Sequence, residues 1–388
     1  MSRGRRSALA LVTDAYGGRG GIALYSRNLL QALCSHPDIG RVVAIPRKVV
    51  YDLEEMPTTL EYLVQGAGTK LRFVATCLHV LFRKQRFDLV VCGHIHLLPI
   101  ACALSLLYRC PLITVIYGVE AWTPTGRVVV DYLCRRLKSV ISIRNWTTER
   151  FSHWTGNLKA KYYYLPNCID PAKYGIRPPR SDLVERYKLS SKKVVMTVGR
   201  LDAGMDLNKG FDEVLEVLPR LLTDVPELAY LIVGDGVDRA RLERKATDLG
   251  VARAVIFTGY VSESEKADYY RLADVFAMPG SNPDFDRYPF RFVFLEALAC
   301  GIPVIGSRPE SASEASDPDS ALIVLVDPRN KKELKKAILA ALSVPHQIRP
   351  ELKGYYLSSF GHRLNEIIDD VLSRRSAKLR GAQHASSQ

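Results

Sequence analysis

Along the chain, short runs of β-branched and aliphatic residues alternate with longer stretches whose apolar positions recur every three or four residues. That rhythm is the signature of repeated strand–helix units. In the first half, residues 8–13, 41–46, 89–92, 112–117, 140–143 and 162–165 read as strands, and segments such as 22–33 and 71–82 read as helices. Strands joined by helical crossovers pair in parallel, so the pattern predicts an α/β architecture of parallel sheets. Near residues 171–182 the rhythm breaks into a Pro- and Arg-rich stretch, the expected interdomain linker. A second strand series follows at 194–198, 229–233, 254–258, 275–278, 303–306 and 322–326, and beyond about residue 330 the pattern is helical. The last dozen residues read as a frayed tail.

A length of 388 residues suits two domains. No apolar run approaches the roughly 20 residues needed to cross a bilayer. The short apolar run after Arg6 ends at Asp14 and reads as a first buried strand; a signal peptide would have a longer apolar core and a small-residue cleavage site. The eight cysteines show no CxxC pair and no metal-ligand spacing, so the reading is a reducing cytoplasm, no structural disulfide and no zinc. Charge changes the picture more. Residues 1–180 carry 25 Lys and Arg against 11 Asp and Glu, while the remainder carries 29 against 30. The whole excess of +13 therefore sits in the first half and points to an anionic partner there, unless it is simply a solvated basic face.

Four motifs carry candidate chemistry. In Tyr16-Gly-Gly-Arg-Gly-Gly21, between the first strand and a helix, Gly17, Gly18, Gly20 and Gly21 permit a tight turn and close approach of a phosphate or sugar. Their spacing is not that of a dinucleotide fingerprint, which argues against a dehydrogenase. In Val198-Gly-Arg-Leu201 a strand ends in Gly199 and Arg200, and Lys209 stands at the start of the following helix. Two cations and a helix N-terminus beyond a strand's carboxyl end make a diphosphate site. The turn Val233-Gly-Asp-Gly236 leaves room beside Gly234 for a base or phosphate. In the apolar helix before Gly301, Glu296 is a lone carboxylate that needs a partner; the two hydroxyls of a ribose would serve, as would a structural hydrogen bond.

Taken in this order, Gly199-Arg-Leu, Lys209-Gly, Gly234-Asp-Gly, Phe257-Thr-Gly-Tyr-Val261 and Leu295-Glu-Ala-Leu-Ala-Cys-Gly-Ile-Pro-Val-Ile305 resemble the family 4 glycosyltransferases, retaining enzymes of the GT-B fold. The resemblance spans about residues 8–370 and is strongest in the second half. It implies two Rossmann-like domains, parallel sheets facing an interdomain cleft. The expected divisions are 1–175 on the acceptor side, 176–350 for the nucleotide-sugar donor, and 351–388 for a helix packing back on the first domain plus a tail. It further implies that Arg200 and Lys209 neutralise the donor diphosphate, that Glu296 holds the ribose, and that backbone around Tyr260 and Val261 reads the base. No metal or other cofactor is required.

Two departures matter. The family's second glutamate, which contacts the donor sugar, is replaced by Tyr288, with Asp284 or Asp286 as substitutes. Its His–Gly pair is replaced by Tyr117-Gly118, which leaves His94 or His96 for that rim, His94 being favoured. Glu120 is a further acid on the acceptor side, and Glu314 stands where the family often has an acid. The expected function is retaining transfer of a sugar from a nucleoside diphosphate sugar to a hydroxyl of a lipid-linked or polysaccharide acceptor. The alternative is a degenerate GT-B subunit that binds nucleotide sugar without turnover. Nucleic acid is not an expected partner, because the basic half lacks a recognisable module. Residues 70–86 read either as a basic amphipathic helix resting on anionic lipid, making the protein peripheral to a membrane, or as a core-facing helix with a basic end.

Overall fold

Thirteen strands among the described residues fall into two wholly parallel sheets, each flanked by helices. The computed structural model describes residues 6–83, 85–201, 209–280, 292–308 and 322–385. The chain divides into two units, one formed by Met1–Cys168 with Leu357–Gln388, the other by Ile169–Tyr356.

The N-terminal unit contains β1 (Arg6–Val12), β2 (Ile39–Pro46), β3 (Leu60–Tyr62), β4 (Leu89–Cys92), β5 (Leu112–Ile116), β6 (Ser139–Ser142) and β7 (Lys161–Tyr164). Their spatial order is β3-β2-β1-β4-β5-β6-β7. The chain thus builds outward from β1 in one direction and from β4 in the other. β1 pairs with both neighbours, Leu9 lying opposite Val43 on one side and Val90 on the other. The short edge strand β3 was not foreseen: three half-buried residues present no apolar run for a pattern to register. The C-terminal unit repeats the plan with β8 (Lys193–Val198), β9 (Leu228–Val233), β10 (Val255–Phe257), β11 (Val275–Met278), β12 (Val304–Ser307) and β13 (Val324–Val326), in the order β10-β9-β8-β11-β12-β13. In each sheet the direction of winding reverses once, at β1/β4 and at β8/β11. Helices leave these two points on opposite faces of the sheet, and the crevice between them is where open α/β sheets bind ligands.

The long C-terminal helix, Leu357–Ala385, packs on helix Gly21–Cys34 within the N-terminal unit, where Phe360 meets the edge of Tyr25 at 5.5 Å. Helix Lys70–Phe82 buries Phe73, Cys77 and Val80, spaced four and three residues apart, against the sheet. Most of the other large apolar residues of that helix do not share this face: Leu71, Val74, Leu78 and Phe82 are exposed. Among the described residues no helix is long and apolar enough to cross a membrane.

The Pro- and Arg-rich stretch expected as a linker carries structure of its own. Tyr174 is buried, the Ala172 N–H bonds the Asp170 carboxylate at 2.9 Å, and Arg271 donates to the Gly175 and Lys173 carbonyls at 3.1 and 2.9 Å. These contacts make its first residues part of the C-terminal unit. That unit also begins and ends at one place: Ile169 and Tyr356 form a parallel bridge, with the Ile169 N–H on the Tyr355 carbonyl at 2.8 Å.

Candidate functional site

In the C-terminal unit the carboxyl ends of β8, β9 and β10 are stitched together through their backbones. Gly199 N–H bonds the Val233 carbonyl at 2.9 Å, Leu201 N–H the Asp235 carbonyl at 2.9 Å, and Gly234 N–H the Gly259 carbonyl at 3.1 Å. Glycine is required by contact here. A methyl on Gly234 would overlap the Gly199 carbonyl oxygen, and one on Gly236 would overlap the Leu201 carbonyl; both glycines have positive φ, 143° and 157°. The result is a floor of bare backbone. Lys209 lies across it, its stem over Gly199 and its ammonium on the Arg200 carbonyl at 3.1 Å. The Arg200 side chain is exposed beside it. Gly210, at φ 79° and against Pro279, turns the chain into helix Phe211–Asp224, whose N-terminus follows Lys209 directly. Gly199, Arg200, Lys209 and Gly234 are therefore brought together at the β8 switch point, and Tyr260 and Val261 follow β10 on the same edge, Tyr260 being 57% exposed. Two cations on a backbone floor at a helix start are equipped to hold a polyanion.

Glu296 finds its partners within the protein, the structural alternative to a ribose. The carboxylate is 1% exposed on helix Phe292–Ala299 and accepts from three protein donors: Tyr270 hydroxyl at 2.7 Å, Lys266 ammonium at 2.9 Å and Tyr174 hydroxyl at 3.1 Å. Burial favours a neutral Lys266, but Glu296 and Glu263 overcome it and raise the lysine above its ordinary range. A buried carboxylate held by a cation and two hydroxyls is fixed in direction. Sequence reasoning missed all three donors. The spacing of Lys266 and Tyr270, one helical turn apart on helix Lys266–Tyr270, was the available signal.

In the N-terminal unit the corresponding switch point gathers the glycine loop after β1, His94 after β4 and Tyr117 after β5. Gly17 and Gly18 have no room for side chains: a Cβ on either would stand 2.6 Å from Val49 or Asp14 respectively. The Gly17 carbonyl accepts from the Val50 and Tyr51 N–H groups at 2.9 and 3.1 Å, and Gly20, at φ 92°, leads into the helix starting at Gly21. His94 lies with its ring 6.4 Å from that of Tyr117 and 5.0 Å from that of His96. Its Nδ1 accepts the His96 N–H at 3.2 Å, so the neutral ring carries its proton on Nε2. Burial, with His96 and Arg127 adding to it, lowers His94 from 6.5 to about 4. At neutral pH it is a hydrogen-bond donor suited to a sugar hydroxyl, not a base. His96 is exposed. Tyr117 is buried, and desolvation pushes its hydroxyl well above the tyrosine range, a shift that Ser26 beside it opposes.

Glu120, expected as an acceptor-side group, is held within its own turn. Its carboxylate folds back on its own helix start, accepting from Tyr117 N–H at 2.7 Å and from Gly118 N–H at 3.0 and 3.2 Å. Both oxygens are committed to the turn. Tyr288, Asp284, Asp286 and Glu314 lie outside the described residues. Among the described residues no three His, Cys, Asp or Glu side chains cluster as metal ligands, and the eight cysteines are free thiols.

Two units of this construction define the GT-B fold, and comparison with solved structures gives the same answer. The chain superposes on an Anabaena protein, HepE, solved with UDP and glucose, with a TM-score of 0.68 over 93% of this chain and 99% of that one at 19% identity. It superposes on sucrose-phosphate synthase from Thermosynechococcus elongatus with a TM-score of 0.63 over 98% and 100%, also at 19% identity. Residues 181–353, within the C-terminal unit, match the family model of glycosyl transferases group 1. A GDP-mannose-dependent alpha-(1-6)-phosphatidylinositol monomannoside mannosyltransferase of Mycolicibacterium smegmatis is 34% identical over 196 residues, 49% of this chain and 50% of that protein. Its Mycobacterium tuberculosis counterpart is 33% identical over 224 residues, 56% of each chain. The chain thus spans about half the length of the curated relatives it matches.

Proposed function

We propose that this chain transfers a sugar from a nucleoside diphosphate sugar to a hydroxyl of a lipid-linked or polysaccharide acceptor, with retention at the anomeric carbon. The observation that carries the reading is Lys209 laid over the Gly199–Gly234 backbone floor beside Arg200. A diphosphate on that floor would meet two cations and a helix N-terminus, which oppose the charge that develops as the glycosidic bond breaks. The acceptor oxygen forms its bond to the anomeric carbon on the face the diphosphate leaves, and its proton passes to the departing phosphate. No protein nucleophile enters this scheme, and the two cations perform the neutralisation for which other enzymes use a metal. In this reading His94 Nε2–H is a hydrogen-bond donor to a sugar hydroxyl, and Glu296, already fixed by three donors, offers its remaining acceptor site to the ribose. The relatives' dependence on GDP-mannose makes that donor the first to try.

The test is thermal stabilisation of the protein by a panel of nucleoside diphosphates and their sugars, repeated with Arg200→Ala and Lys209→Ala. A ligand that binds only the folded state raises the melting temperature with saturation. A shift by one nucleotide class, lost in both variants, followed by transfer to an acceptor, supports the reading. Nucleotide binding without transfer over a broad acceptor panel supports the degenerate subunit instead. No shift with any nucleotide removes the donor site.

A further inference from the structure

Helices Lys70–Phe82, Leu98–Leu107 and Val128–Cys134 lie on one face of the seven-stranded sheet and feed the same buried cluster through Phe73, Val80, Leu98, Ala101, Val130 and Cys134. Their outer side is apolar where water would be expected. On the first helix Leu71, Val74, Leu78 and Phe82 recur at helical spacing, Leu71 being 82% and Phe82 77% exposed. Leu106, 77% exposed, and Val128, 84% exposed, continue this on the other two helices. Large aliphatic side chains exposed on three neighbouring helices are not the scattered single residues of an ordinary surface.

The charge around them has one sign. From residue 70 to residue 138 the sequence holds ten Lys and Arg against three acids, Asp88, Glu120 and Asp131. Each acid is already engaged. Asp88 accepts the Ser7 N–H at 3.0 Å, Glu120 accepts the N–H groups of Tyr117 and Gly118, and Asp131 accepts the Thr125 N–H at 2.9 Å and its hydroxyl at 2.6 Å. Lys70, Arg72, Arg109, Arg127, Arg135 and Arg136 are all exposed.

We propose that this three-helix face docks on an anionic lipid surface. Its aliphatic side chains enter the boundary between headgroups and acyl chains, and its Lys and Arg side chains lie among the anionic headgroups. The combination selects the occupant. A second copy of the chain would set like charge against like charge, and a nucleic acid would want open aromatic platforms where this surface has mainly leucine and valine, Phe82 at a helix end, and Tyr132 already covered by Arg136 at 3.7 Å. The inference goes beyond the donor site and does not depend on it.

The experiment is co-sedimentation of the full chain with vesicles of phosphatidylcholine alone and with about a third phosphatidylglycerol, at about 0.05 M and about 0.5 M salt. The expected result is binding to the anionic vesicles that weakens with salt, and much weaker binding to the neutral ones. Leu71→Ser with Phe82→Ser lowers the partition coefficient about tenfold or more. Adding Leu106→Ser and Val128→Ser lowers it further, which a single lipid-binding helix would not produce. These side chains face solvent, so the variants keep the wild-type melting temperature and any nucleotide-induced shift. Equal binding to neutral vesicles, binding indifferent to salt, or full binding by the fourfold variant overturns the proposal. So does an absence of vesicle binding while an acidic protein is captured through the same residues. A missing nucleotide shift in the wild type would instead count against the donor reading alone.

Discussion

Lys209 and Gly199 share one space: the lysine's Cδ and Cε lie where a side chain on residue 199 would begin, and its ammonium reaches the Arg200 carbonyl at 3.1 Å. The absence of a side chain at 199 is what lets the cation lie down on the backbone.

Gly199→Ala therefore acts on Lys209 before it acts on the fold. The group in the way is the flexible stem of a half-buried lysine, which can swing aside, so the expected loss of stability is about 1 kcal/mol or less. Nucleoside diphosphate affinity, measured by titration calorimetry, falls about tenfold as one charge-assisted contact is lost.

Gly234→Ala has the opposite profile. Its Cβ would overlap a backbone oxygen that cannot move without breaking the Gly199–Val233 hydrogen bond, and φ 143° is foreign to alanine. A loss of about 3 kcal/mol or more is expected, lowering the melting temperature by roughly 10 °C. A calorimetric scan within 2–3 °C of wild type, roughly the shift for 1 kcal/mol, would refute the contact.

Lys266→Met leaves Glu296 buried with hydroxyl donors and no cation. Removing one partner of a buried ion pair costs about 3 kcal/mol. Urea midpoints should show that deficit against wild type. Combining the change with Glu296→Gln, which leaves a neutral amide among the same hydroxyls, should restore part of it.

For His94 the sign is reversed. Its folded value of about 4 lies below the unfolded 6.5, so the unfolded chain takes up the proton first. Stability is complete above pH 6.5 and falls as the pH drops toward 4. The full shift corresponds to about 3 kcal/mol, and the partly exposed ring reduces this to about 2. His94→Asn keeps a side-chain oxygen for the His96 N–H and lacks the titration, so it should lose less stability than wild type between pH 6.5 and 4.

Most of the strand framework was legible because buried parallel strands announce themselves as compact apolar runs, each ended by glycine or polar residues. The grouping of Gly199, Arg200 and Lys209 was legible for a related reason: they flank one strand–helix turn, so neighbours in sequence are neighbours in space. The donors to Glu296 were not. Tyr174 is 122 positions away from it, in a stretch whose prolines and arginines looked like linker. The commitment of Glu120 to its own turn was hidden for another reason. A carboxylate four residues past a strand end reads the same whether it faces a ligand or folds back on backbone N–H groups. On helix Lys70–Phe82 the apolar residues were visible, but their sorting into a buried Phe73–Cys77–Val80 face and an exposed Leu71–Phe82 face required the fold.

The bridge between Ile169 and Tyr356 has a practical consequence. A unit whose first and last residues are hydrogen-bonded to each other is, topologically, an insertion with adjoining ends. Residues 169–356 can be excised as a cassette without leaving loose strands, expressed alone, or joined to the first unit of another protein of this architecture. Donor preference should travel with that cassette, while the apolar, basic helical face stays behind with the first unit.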